Sequence, residues 1–160
     1  MNRKLRTLLI GTVLAAGLGA VALAADAPDP IVGTWTLNVA KSKFTPGPAP
    51  KSQTRTYTQS AQGTALTFQG VAADGSPMSG QSTFKYDGKD YPITGSADYD
   101  MLSLKRLNGT TVRSTMKRAG KPVGTTIRSV SGHGKVMTLS TKAKDVKGVP
   151  FDWVAVYDKQ

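Results

Sequence analysis

The chain has 160 residues, 39% of them hydrophobic, with 21 Lys and Arg against 10 acidic residues, one His and no Cys. That is enough for one domain, and the missing Cys and single His exclude a disulfide framework, a Cys-based zinc site, an iron–sulfur cluster and a thiol nucleophile. All the acidic residues are Asp. Glu is a good helix former whereas Asp favours turns and caps, so this bias points away from α-helix.

In chain order, the basic head Arg3, Lys4 and Arg6, an uncharged apolar run over 8–23 and the small-residue pattern Ala22-Leu23-Ala24 predict a signal peptide over 1–24. The alternative, a membrane anchor, is disfavoured because the run is short and diluted by Gly11, Gly17 and Gly19. Removing three basic residues lowers the net charge from +11 to +8. Residues 25–30 are crowded with Asp and Pro and are expected to be a disordered lead. A single domain follows over 31–160.

From there the pattern predicts strands at 31–38, 52–59, 65–71, 81–86, 89–94, 101–107, 111–117, 123–129, 136–142 and 151–158. Gly-containing turns separate them, among them Asp74-Gly75, Asp87-Gly88, Asn108-Gly109 and Ala119-Gly120. Such turns join antiparallel neighbours, and a run of hairpins without a crossover helix gives an up-and-down sheet that loses its raw edges by closing. The expectation is an all-β, up-and-down antiparallel barrel of about eight to ten strands. Residues 39–51 carry Pro46, Pro48 and Pro50 and are expected to form a stiff extended loop, either a plain linker or a lid over a cavity mouth.

Two short pieces carry a family resemblance. The opening Gly33-Thr34-Trp35 resembles the Gly-x-Trp first strand of the calycins, the lipocalins and fatty-acid-binding proteins. The close, Val154-Ala155-Val156-Tyr157-Asp158-Lys159, is similar to the last strand of the fatty-acid-binding proteins, and Gly134 to Leu139 to their penultimate strand. The resemblance implies a bacterial exported lipocalin-like barrel, periplasmic or secreted, that binds a small apolar or amphipathic molecule in its interior. The family's helix-turn-helix lid is missing, and Ala155 stands where the family has its carboxylate-binding Arg; only Tyr157 of that pair is present.

Strand alternation names the candidate cavity lining: Trp35, Tyr57, Phe68, Phe84, Leu104, Met116, Ile127, Trp153 and Tyr157. Trp35 and Tyr157 have a sufficient structural explanation as a core plug at the narrow end of a barrel, which is favoured over direct ligand contact. Arg55 and Arg106 share parity with inward residues and are candidate contacts for a ligand anion, against the alternative that they lean out at the rim.

Catalysis has little to stand on, and no enzyme is expected. His133 sits between two glycines at a hairpin tip without the support a triad needs. Asp98 and Asp100 could form an acid pair but read as well as turn residues. No cofactor and no metal site are expected. Lys117, Arg118 and Lys121, with Lys142, Lys144 and Lys147, fall at turns expected at one end of the barrel. That end could meet an anionic envelope surface, and the alternative function is an envelope interaction protein with a filled barrel. Nucleic acid is not expected, for want of an aromatic–basic platform, and the protein is expected to be a monomer.

Overall fold

The computed structural model describes residues 29–131 and 133–160. The expected signal peptide and residues 25–28 of the lead lie outside the described residues. These residues form β1 (Gly33–Leu37), β2 (Lys43–Thr45), β3 (Ser52–Ser60), β4 (Gly63–Val71), β5 (Pro77–Phe84), β6 (Asp87–Pro92), β7 (Met101–Arg106), β8 (Thr111–Arg118), β9 (Lys121–Ser131), β10 (Val136–Lys144) and β11 (Pro150–Lys159), with one 3-10 turn at Val39–Lys41. The strand order is β5-β4-β3-β1-β11-β10-β9-β8-β7-β6, with β2 beside β11. Every pairing is antiparallel, and β1 pairs with both β3 and β11, so the first and last strands close a meander into a nearly complete barrel.

The local reasons are visible along β3, where Gln53 and Tyr57 face inward and are buried while Thr54 and Thr56 face out. On the outer face Thr34 and Thr56 are register partners with hydroxyls 3.3 Å apart. Asp residues shape the turns, as expected from the missing Glu. Asp74 accepts from the Ser76 amide at 2.9 Å and Asp145 from the amides of Lys147 and Val149 at 2.8 Å each.

Four expectations are corrected. The segment 39–51 is not wholly extended loop: it contains the 3-10 turn and β2, because Phe44 docks opposite Trp153 of β11. Asp87-Gly88 is not a hairpin tip, since β6 begins at Asp87 and bulges against β7 between Asp87 and Asp90. The lead is not wholly disordered, since the Asp29 carboxylate accepts from the Ile31 amide and from Tyr86 and Arg106. Finally, β5 and β6 do not pair as a hairpin ladder; one isolated bridge joins Ser82 of β5 to Ile93, just past the end of β6.

This seam is the weak line of the barrel. The Thr94 amide donates to the Gln81 carbonyl at 3.0 Å and the Ser82 hydroxyl to the Pro92 carbonyl at 2.8 Å. Gly95, at φ +82°, lets the backbones close up: a Cβ there would lie 2.0 Å from the Ser79 carbonyl oxygen. Replacing Gly95 with Ala is therefore expected to cost about 2–3 kcal/mol of stability in urea unfolding. Gly109→Ala, whose Cβ would meet nothing within 4 Å, is expected to stay within about 0.5 kcal/mol of wild type.

Candidate functional site

The two ends of the barrel differ. At the closed end Trp35 is fully buried, and its indole N–H donates to the Ile31 carbonyl at 2.7 Å. Lys159 lies 5.1 Å over the Trp35 ring, and its ammonium donates to the Pro30 carbonyl at 3.3 Å. Trp35 is thus a floor and not cavity lining, which corrects its placement from sequence and agrees with the plug reading. Gly33, at φ +130°, makes room for Lys159, whose Cε a Cβ would meet at 2.7 Å. Beside this floor Asp29 joins Arg106, at 2.6 Å, to the Tyr86 hydroxyl, at 2.7 Å, and Arg128 donates to the same hydroxyl at 2.6 Å.

Above the floor lies a cavity of about 420 Å³, lined largely by apolar side chains and reaching toward the loops 38–51, 72–76 and 93–100. Tyr57, Phe68, Phe84, Leu104, Met116, Trp153 and Tyr157 line it. Ile127 does not: on β9 the inward parity belongs to Thr126 and Arg128, so Ile127 points away. Hydrophobicity was the wrong guide there, because the strand turns a basic and a hydroxyl residue inward. At the mouth Phe44 packs edge-on against Trp153 at 5.5 Å, and Phe151 stacks tilted on the same ring at 4.3 Å.

The two candidate anion contacts part company. Arg106 leaves the interior at the end of β7, lies 4.2 Å over the Tyr86 ring and pairs with Asp29, so its charge is already met. Arg55 lines the cavity, 5.4 Å from the Phe68 ring and 5.8 Å from that of Tyr157. Its Nη1 donates to the Gln53 side-chain oxygen at 3.4 Å, an oxygen that also accepts from the Tyr157 hydroxyl. No carboxylate pairs with Arg55 among the described residues. Burial works against its charge, but the phenol oxygens of Tyr57, Tyr157 and Tyr99 outweigh it and raise the pKa further. Burial pushes the Tyr157 and Tyr99 phenols up against the pull of Arg55, so both are neutral at physiological pH and supply no countercharge.

Among the described residues three buried side-chain polar atoms find no partner: Arg55 Nε, Ser114 Oγ and Trp153 Nε1. All three residues line the cavity. An unpaired buried polar group costs about 1–3 kcal/mol, so their convergence on one space is not neutral packing. Sequence reasoning passed over Gln53, Tyr99, Ser114, Thr126, Arg128 and Thr141. Ser114 was findable, since it shares parity with Val112 and Met116; Tyr99, in a loop outside any strand, was not.

Other candidates have local duties. Asp98 accepts from the Val146 amide at 3.0 Å and Asp100 from the Ala119 amide at 3.2 Å, tying the mouth loops together separately. His133 is exposed at the opposite end, with φ +56°. The two basic turns do share an end, that of the mouth, where Arg118 donates to the Asp98 carbonyl.

No protein-family model matches the chain, and no curated protein matches it. Among solved structures it is similar to an ileal bile acid-binding protein of zebrafish crystallised with cholic acid, at 9% identity and a TM-score of 0.47, covering 82% of this chain and 99% of that one.

The floor makes a prediction. Burial opposes the Asp29 carboxylate, but hydrogen bonds from Tyr86, the Ile31 amide and Arg106 outweigh it and hold the pKa below the ordinary 3.8. A carboxyl lowered on folding stabilises fully above its unfolded value and loses that contribution as pH falls through its folded value. Wild type should exceed Asp29→Asn by about 1–2 kcal/mol at neutral pH, the gap closing below about pH 4. A gap unchanged down to about pH 2 in urea unfolding would refute the role.

Proposed function

We propose that this barrel is a non-enzymatic binding protein of calycin type. It takes a small amphipathic molecule whose apolar body fills the cavity and whose acid group meets Arg55. The observation that carries this reading is the unpaired guanidinium on the wall of a largely apolar space of about 420 Å³. A cavity of that size suits a small organic ligand. An uncompensated cation inside is unfavourable unless something anionic completes it, and a carboxylate or sulfonate does so through charge-assisted hydrogen bonds. The same interior volume counts against the alternative of a filled barrel working only through its basic surface.

Export belongs to the proposal on the strength of residues 1–24 alone. The product recovered from a cell envelope is expected to begin at Ala25, as N-terminal sequencing would read.

Binding is tested with anilinonaphthalene sulfonate, an anionic amphiphile whose fluorescence rises in apolar surroundings. Wild type is expected to light the dye at one site and release it to dodecanoate. Arg55→Met, which removes the charge and keeps an apolar stem, should fold at least as stably and lose about tenfold or more in dodecanoate affinity. Neutral dodecanol should bind both proteins within about twofold. Equal dodecanoate affinity in the two proteins would sink the proposed role of Arg55.

A further inference from the structure

The polar residues of the cavity are not scattered. Ser114 of β8 is the register partner of Thr126 of β9, Thr126 of Thr141 of β10, and Thr141 of Trp153 of β11. These four form one unbroken row across four strands, and all four line the cavity. The Thr126 and Thr141 hydroxyls are 2.8 Å apart and bond to each other, while the ends of the row, Ser114 Oγ and Trp153 Nε1, are buried without partners. Two residues along each strand toward the mouth stand Met116, Gly124, Ala143 and Phe151. On the other side Val112, Arg128, Leu139 and Ala155 flank the row on β8, β9, β10 and β11, Arg128 being the one charged member and bonded to the Tyr86 hydroxyl. A polar stripe therefore crosses an otherwise largely apolar wall.

The stripe is separate from the Arg55 group. Tyr157, whose ring Arg55 faces, lies four residues along β11 from Trp153, roughly 13 Å of strand at about 3.3 Å per residue. A bare alkyl chain leaves the row unanswered, for it offers neither donor nor acceptor to the Ser114 hydroxyl or the indole N–H. The indole can only donate and the serine hydroxyl can do either, so a hydroxyl or carbonyl oxygen at that depth meets one end of the row, the two ends lying three strand spacings apart, roughly 14 Å along the sheet.

Resting on the reading of Arg55 as the acid contact, we infer that the row Ser114, Thr126, Thr141 and Trp153 is a second polar subsite. It selects acids that carry a hydroxyl or carbonyl oxygen some ten bonds from the acid group over plain alkyl acids. Specificity of this kind follows because a site built to hydrogen-bond an oxygen is left with unpaired buried groups when the oxygen is missing.

The test compares dodecanoate with ω-hydroxydodecanoate, by calorimetry, on wild type and on Ser114→Ala/Thr126→Val/Thr141→Val. These substitutions keep volume and remove only hydroxyls. The ratio of the two affinities is expected to shift by about tenfold against the hydroxy acid in the variant, dodecanoate itself changing by less than about threefold. Should the triple variant fold poorly, Ser114→Ala alone, which removes a hydroxyl with no partner, is expected to move the ratio by about threefold. Both acids binding wild type with a ratio that neither variant moves would overturn the subsite and leave the Arg55 reading standing. Failure of both acids to bind wild type would overturn that reading and the subsite with it.

Discussion

Everything in this molecule depends on the pairing of its first strand with its last. Trp35, Thr36 and Leu37 stand opposite Lys159, Asp158 and Tyr157, and that short ladder turns a meander into a container. Side chains lock it from outside, where Asn38 donates to Asp158 at 2.7 Å across 120 residues of sequence. The same few residues build the floor, since Trp35 and Lys159 pack on one another beneath the cavity. Contacts so distant in sequence are closed against the entropy of the chain between them. The opposite side is lightly sewn: a single bridge and a few hydrogen bonds join β5 to the end of β6 and the residues just past it, held close by Gly80 and Gly95. The barrel is thus joined by a ladder where its termini meet and by a single bridge along its seam.

Inside, the arrangement of charge is asymmetric in the same sense. Near the floor Arg106 is paired with Asp29, while Arg128, which also lines the cavity, donates to the Tyr86 hydroxyl, itself bonded to Asp29. In the cavity Arg55 has a glutamine oxygen and aromatic faces, and no carboxylate. Stability alone favours an apolar residue at such a position. The guanidinium there and the unpaired donors at Trp153 and Ser114 face the same space, which is what the proposed guest with oxygen atoms would complete.

How much of this was legible before the structure follows from how loudly each residue speaks. Asp-Gly and Asn-Gly turns and Thr-rich alternation announced an antiparallel meander, and the terminal aromatics announced where it closes. β2 was not readable, because three residues just before a proline-rich stretch form a strand only when Phe44 finds Trp153. The seam was hidden by its own turn residues: Asp87-Gly88 reads as a hairpin, yet Gly88 serves a bulge against β7, where the Ser103 hydroxyl donates to its carbonyl. On β9 the alternation Thr126, Ile127, Arg128 was assigned by hydropathy and the register turns the Ile outward. Arg55 and Arg106 look alike in sequence, both sharing parity with apolar neighbours. Position along the strand separates them, Arg106 at the end within reach of Asp29 and Arg55 in the middle over Phe68 and Tyr157.

The central claim, that the cavity holds an acidic amphiphile on Arg55, meets its most direct test in native mass spectrometry of the protein purified from its own cells. The account predicts a bound mass at one copy per chain, released into organic solvent as an acid and absent from Arg55→Met prepared in the same way. A bound molecule without an acid group, or the same acid retained in equal amount by Arg55→Met, would contradict it.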